Sequence, residues 1–485
     1  MTRKILFGLI AFALVAALAV PATAQVNFKF GAWFRMRGVA TENQDRLDTV
    51  TGAPGDLGRD QWRYYDHVFR PYFVATLGDK ARMFFQLDIG NFNQIGGDDG
   101  VNFGTGFLAI AGRTDVDVVT YNLQVKVPYV PGPWFFKFGR DNVFLPRGLV
   151  GRLPNLREFG LQLWGTVGIL KPRVEIWKRD ETSSGTLGLD FADDDDVYIG
   201  KLSFSPTKGI RVMPYIVFHE QNATASRSEK ITSWYPAISG SARYKNFIGK
   251  ADFVYQSGDI DRASTDTTAD SEVSAYVFWL QGGVTLGAAN LSVNYVMSSG
   301  DSNQNDDNEN QFFAVGCSPI TGESGCDARS QGPTDMWFGD KYNDTLTVGA
   351  RNIGGNTGGT GGRYARGNGT QVLSFDGSYR MLKSVLVQGT IGAIWSAHSR
   401  PDLTAAGTTP FKSSRYIGTE VDVSATWTLY KGVSLTGGFD YLVAGDYGEL
   451  RAPVANASQV SGGTNRAVNN NDNSWQAIWK LQWFF

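Results

Sequence analysis

The closing thirteen residues, Asn473-Ser-Trp-Gln-Ala-Ile-Trp-Lys-Leu-Gln-Trp-Phe-Phe485, decide the fold. Counted back in twos from Phe485, they give Trp483, Leu481, Trp479, Ala477 and Trp475, an unbroken apolar row, whereas Gln482, Lys480 and Gln476 between them are polar. Side chains that alternate with period two belong to a β-strand. One face bearing three Trp and a terminal Phe, opposite a polar face, fits a strand with lipid outside and water inside. A half-buried strand of a soluble sandwich seldom gathers so much aromatic bulk on one face of its final strand.

The other end of the chain agrees. Arg3 and Lys4 precede an apolar run from Ile5 to Val20, which Pro21, Ala22, Thr23 and Ala24 close. That is the pattern of a secretory signal peptide over residues 1–24, leaving 25–485 as one transmembrane barrel. No later stretch reaches the roughly 18 uninterrupted apolar residues of a spanning helix. Membrane residence then rests on strands, because only helices and closed barrels cross lipid. A net charge of -2 gives no sign of a nucleic-acid partner. The two cysteines, Cys317 and Cys326, lie in a polar segment and are expected to pair in an oxidising periplasm, adding about 2 to 3 kcal/mol. No His is near them, and two ligands are too few for a metal site; no cofactor motif stands in a convincing context.

Period two recurs along the chain. Phe28, Phe30, Ala32, Phe34 and Met36 alternate with Lys29, Arg35 and Arg37, and Gly78-Asp79-Lys80 makes a tight turn between a strand at 62–77 and one at 81–92. Short turns near 128–133, 170–172, 205–208, 245–246, 287–289, 381–383 and 430–432 alternate with long polar segments, the asymmetry of an outer-membrane barrel. The reading is all-β: an antiparallel transmembrane barrel of eighteen strands with both termini periplasmic, or sixteen if two weak strands within 157–204 belong to a loop.

Strand parity assigns the lumen side. Its bases are Lys29, Arg35, Arg37, Arg70, Arg82, Lys126, Lys137, Arg173, Arg179, Lys201, Arg211, Arg243, Lys250, Arg380 and Lys480. Its acids are Asp66, Asp88, Glu158, Glu175, Asp252, Asp376, Glu420, Asp422 and Asp440. Bases predominate, and a charged wall in a confined pore selects solutes by sign. Inward charges of opposite sign that pair across the lumen and stiffen the barrel are the alternative. Phe144, Arg147 and Arg152 mark an apolar and basic loop after Arg140, either a constriction folded into the pore or a rim loop. A second long loop, from Ser299 to about Gly369, reads as extracellular. Its Asp301–Glu309 cluster lacks the spacing of a calcium loop, and Asp193–Asp196 reads as a solvated charge run. His67, His219 and His398 fall near extracellular strand ends and read as rim residues rather than a catalytic base.

The final strand resembles the C-terminal signature strand of bacterial outer-membrane proteins, which implies recognition by the barrel-assembly machinery. Arg415–Trp427 with Val433–Tyr441 and Ala444-Gly-Asp446 resembles the penultimate hairpin of alginate-export-type outer-membrane channels. Ser298–Asn303 and Phe136–Asp141 are similar to other parts of that family, although Asp141 stands where it usually has Gln. The resemblance implies an eighteen-stranded channel with an Arg-lined lumen. The function expected is a passive outer-membrane porin for small hydrophilic, anionic solutes such as organic acids or acidic saccharides, in contact with outer-membrane lipid, as monomer or homotrimer. An adhesin or a rim-site hydrolase on a barrel scaffold is the alternative.

Overall fold

The computed structural model describes residues 26–42, 61–89, 116–150, 152–181, 194–222, 229–262, 270–301, 308–315, 369–398, 414–446 and 473–485. The signal segment, Cys317 and Cys326 lie outside them.

The chain forms one closed antiparallel barrel. Its first half comprises β1 (Val26–Glu42), β2 (Gln61–Leu77), β3 (Ala81–Ile89), β4 (Val116–Lys126), β5 (Phe135–Phe144), β6 (Arg152–Trp164), β7 (Leu170–Glu181), β8 (Asp194–Phe204) and β9 (Ile210–Gln221). The second comprises β10 (Glu229–Tyr244), β11 (Phe247–Arg262), β12 (Ser271–Leu286), β13 (Ala289–Ser298), β15 (Thr370–Leu382), β16 (Val385–Ser396), β17 (Tyr416–Tyr430), β18 (Val433–Ala444) and β19 (Ser474–Phe484). A two-residue piece, β14 (Asn308–Glu309), pairs in parallel with the protruding start of β12. The wall therefore has eighteen strands, with β6, β7 and β8 all in it, so the sixteen-strand alternative falls.

Short turns join β2 to β3 and each later pair down to β17 and β18, and long connections cross at the other end, which puts both described termini at the short-turn end. The first of the strands read within 157–204 begins earlier, since β6 runs from Arg152 to Trp164, and Gly168 at φ +59 lets the chain turn, with Val167 bridging Leu170.

The seam is where β1 meets β19. Trp33 to Glu42 pair with Phe484 to Trp475. The last residue extends this ladder, because the Phe485 amide donates to the Ala32 carbonyl at 3.0 Å and the Ala32 amide donates to the Phe485 carbonyl at 2.8 Å. Beside the seam Trp479 lies across Gly38, where an added Cβ would meet the indole nitrogen at 2.2 Å. Only a glycine leaves the ring room to cover the backbone there.

The outer surface follows the alternation read from the sequence. Leu291, Phe375, Ile391 and Trp427 are each about half exposed on the outward face, and Tyr244, Tyr379 and Tyr430 stand exposed near the short-turn end. A continuous exposed apolar wall of this kind is stable only in lipid.

The inner surface departs from simple alternation. Toward the long-loop end the inward residues are apolar: Trp177, Val197, Ile199, Val217, Tyr235, Val254, Val277 and Trp279 are buried. They pack against Leu145, Leu149 and Val150 of the β5–β6 connection and against Phe312 and Val315 of the β13–β15 connection. The barrel thus contains a core in one half, built from its own wall and two inward segments.

Candidate functional site

The lumen is the candidate site, and the two inward segments shape it. Residues 146–148 form a 3-10 turn with Arg147 at φ +49, a left-handed conformation that few non-glycine residues adopt. This conformation directs the Arg147 side chain to the distant wall. Its Nε lies 2.5 Å from Oδ2 of Asp252 on β11, its guanidinium carbon is 4.4 Å from the centroid of the Trp279 ring on β12, and its Nη2 donates to Gln281 at 3.4 Å. The β5–β6 connection therefore crosses the lumen as a chord. It also touches the second segment, because the Val315 amide donates to the Val150 carbonyl at 2.8 Å. That segment is anchored in turn: the Phe313 amide donates to Gln256 at 3.0 Å, and the Tyr235 hydroxyl donates to the Phe313 carbonyl at 3.3 Å.

The sequence had marked Phe144, Arg147 and Arg152 as a constriction. Arg147 is inside and latched to the wall; the side chains of Phe144 and Arg152 lie outside the described ones. The second loop is not wholly extracellular as expected, since Phe312, Phe313, Ala314 and Val315 are fully buried within the barrel. Its apolar tetrad is the reason: it finds the apolar inward faces of β9–β12 and would otherwise stand in water.

The lumen bases divide into those that are held and those that project. Arg37 and Lys480 face each other across the seam and Arg35 is one step below, as parity implied, but they are only 5%, 9% and 4% exposed. Arg70 ion-pairs with the fully buried Asp88 at 2.8 Å and stacks over Trp33 at 5.0 Å. Lys137 pairs with Asp141, and Lys126 with Asp79. Glu175, 1% exposed, gathers Arg173 Nε at 2.7 Å, Lys201 Nζ at 2.6 Å and the Trp177 indole at 2.9 Å. For Arg70, Lys137, Arg173 and Lys201 the inward charges do pair and stiffen the wall. The Arg179 side chain lies outside the described ones.

Arg82, Arg211, Arg243, Lys250 and Arg380 differ. They are exposed on the inward face of the short-turn half. Arg82 lies over Phe84, Arg211 hydrogen-bonds Ser203, and Arg380 donates to the Lys383 carbonyl. None of these contacts neutralises charge. The wall from β12 to β16 carries an amide and hydroxyl network: Asn294 Nδ2 donates to Asp376 at 2.7 Å, Thr390 to the other Asp376 oxygen at 3.1 Å, and Asn290 Nδ2 to Ser378 at 3.3 Å.

Two sequence expectations change. His219 is no rim residue; it is fully buried, with Nε2 2.9 Å from Asp195 Oδ1. The Asp193–Asp196 run changes at its described side chains: Asp195 faces inward to His219 and Asp196 faces outward to Lys178 at 3.4 Å, while Asp193 lies outside the described residues and the side chain of Asp194 outside the described ones. Ser233 is the cross-strand partner of His219, yet its hydroxyl makes no hydrogen bond among the described residues and both are fully buried. No nucleophile and base are therefore in contact there. Arg140 spends Nη1 on the Val118 carbonyl.

Closed topology, an apolar exterior and a partly charged interior define a transmembrane β-barrel of the bacterial outer-membrane type. No family model and no curated protein matches the chain. Solved structures do. The crystal structure of Pseudomonas aeruginosa OccK8 (OprE) is 11% identical over 95% of this chain and 98% of that one, with a TM-score of 0.51. P. aeruginosa OpdQ is 10% identical over 94% and 97%, at 0.50, and the outer membrane protein OprD of the same organism is 9% identical over 96% and 95%, at 0.50. At such identities the likeness is one of fold. The alginate-export-type resemblance gains no support, because no family model matches and the fold likeness runs to OprD and its Occ relatives instead.

Glu175→Gln is expected to lower the temperature at which the barrel loses its heat-modifiable form and to raise anion permeability, since Arg173 and Lys201 lose their shared buried carboxylate. Gel-shift melting and reversal potentials measured on one preparation check both effects.

Proposed function

We propose that the protein is a passive channel of the outer membrane for small hydrophilic solutes, with a preference for anions. One observation carries the sign of the preference. The inward acids Asp88, Glu175, Asp252, Glu420, Asp422 and Asp440 are buried in the wall, at most 4% exposed, and the half-buried Asp376 is engaged by Asn294 and Thr390, while Arg82, Arg211, Arg243, Lys250 and Arg380 project into water. A permeating solute meets the second set. In a confined pore such bases raise the local anion concentration, and guanidinium forks suit carboxylate and phosphate groups. The reading includes removal of residues 1–24 on export, a Cys317–Cys326 disulfide and insertion by the barrel-assembly machinery. Organic acids and acidic saccharides both fit the charge, and an adhesin or hydrolase is not favoured by a lumen of this composition.

In planar bilayers the wild type is expected to give long-lived ohmic steps with an anion-selective reversal potential that weakens as salt rises over a Debye length of about 10 Å at 0.1 M. Arg82→Gln with Arg211→Gln and Arg380→Gln should bring the permeability ratio toward unity. Arg35→Gln with Arg37→Gln should move it less, because those side chains are buried. Cation selectivity of the wild type would refute the anion reading, and folded protein that conducts nothing would refute the channel itself.

A further inference from the structure

The short-turn end of the barrel carries an unbalanced ring of lysines. Lys80, Lys208, Lys245, Lys383 and Lys431 lie in the turns after β2, β8, β10, β15 and β17, and Lys171 is the second residue of β7. All six are exposed. The acid in these turns is Asp79, which Lys126 engages; the hydrogen-bonded ammonium holds the Asp79 carboxyl below the usual carboxylate range. Over the whole sequence 45 Lys and Arg meet 47 Asp and Glu, so this excess of positive charge is a segregation rather than a reflection of composition.

The ring stands on the perimeter and not over the pore. Three of the turns, 245–246, 383–384 and 431–432, are only two residues long, so their lysines cannot reach far beyond the wall. On the outward face Tyr244 and Phe247 flank the 245–246 turn and Tyr430 precedes the 431–432 turn, 70%, 62% and 76% exposed, and Tyr379, 53% exposed, stands farther back on the strand that leads to Lys383. Lys245 Nζ sits 5.3 Å from the centroid of the Tyr244 ring. Exposed aromatics at a strand end mark the headgroup level of the bilayer. A lysine one residue beyond such a ring, as Lys245 and Lys431 are, lays its stem along the apolar girdle and its ammonium at phosphate depth.

From this placement we propose that the lysine ring binds anionic phospholipid headgroups of the leaflet at the short-turn, periplasmic side, holding an annulus enriched in phosphatidylglycerol-type lipid. Juxtamembrane basic residues attract anionic leaflets, and each added one strengthens the attraction. The six lysines are spread from the β2–β3 turn around to the β17–β18 turn, a distribution that fits many small headgroups around a cylinder better than one compact protein on one side. The inference is independent of the channel reading, since none of the six belongs to the lumen bases.

The test uses the full chain refolded into vesicles of phosphatidylcholine and phosphatidylglycerol, with brominated versions of each lipid quenching tryptophan fluorescence. The wild type should show a several-fold preference for phosphatidylglycerol at low salt, falling toward a ratio of about one at high salt as screening grows. The variant Lys80→Gln, Lys171→Gln, Lys208→Gln, Lys245→Gln, Lys383→Gln, Lys431→Gln should lose the preference while keeping its heat-modifiable migration. A wild-type ratio near unity, or one unchanged in the variant, overturns the proposal. If the sixfold variant does not fold, Lys245→Gln with Lys383→Gln and Lys431→Gln must lower the ratio measurably, and the salt titration of the wild type must still collapse it; failure of either refutes the ring. Lysine-dependent binding of soluble cell-wall fragments without any lipid preference would assign the ring to that polymer and overturn the lipid assignment.

Discussion

Removing Phe485 should abolish most assembly of the barrel. The deletion takes away the pair of backbone hydrogen bonds with Ala32, at 3.0 and 2.8 Å, and the ring that lies 4.8 Å from Trp483 and 6.5 Å from Phe69 by centroid. Each backbone bond is worth about 1 kcal/mol in water, and an unmade one costs more where lipid replaces water. The loss falls on the one joint that closes the sheet, so the damage reaches beyond its own energy: β1 and β19 each have an edge to leave open. Phe485→Asp should be as severe, since it sets a charge on the lipid face. Heat-modifiable, protease-resistant protein in outer-membrane fractions is the measurement, and an undiminished yield would show that the seam closes without its last residue.

Arg147→Ala should open the lumen. It leaves Asp252 buried without its ion-pair partner, a loss of about 3 kcal/mol or more for a buried pair broken on one side, and it removes the cation over Trp279. The eighteen-stranded wall does not depend on this contact, so the energy is lost from the chord. The expected result is a larger single-channel conductance with more frequent substates, in a barrel that still closes but is less stable. Arg147→Lys should restore little, because an ammonium lacks the planar fork that stacks and pairs together. Asp252→Asn combined with Arg147→Ala should cost less stability than the separate losses added, and a strictly additive pair would show that the contact is not energetically coupled.

The wall was legible in the sequence because a lipid-facing row repeats every second residue with few exceptions. Trp475 to Trp483, or Phe28 to Met36, can be read without a partner. What fills the inside was harder. On β12 both faces are apolar near the long-loop end, with Val277 inward and Phe278 outward, so alternation gives no signal there. The meaning of Val277 emerges only with Phe312 and Val315, which lie in a segment whose polar surroundings read as an outer loop. Parity likewise assigns a base to the lumen but not its neighbour. Arg70 and Arg82 read alike in sequence, yet one has Asp88 across the hairpin and the other, among the described residues, lies over the Phe84 ring. The same limit applied to His219, whose aspartate stands in a run of four that looked like a solvated loop.

The hydrogen bond from Val315 to Val150 ties together two segments separated by all of β6 through β14. A contact of such long sequence separation forms late, after the intervening chain has been brought into place, because the entropy of closing so large a loop must be met first. The nascent barrel should therefore pass through a wide, leaky stage in which the wall is complete and the interior is not. A cell that inserts this chain is exposed to that leak for as long as the interior takes to set, and slow maturation would be felt as transient permeability rather than as missing protein.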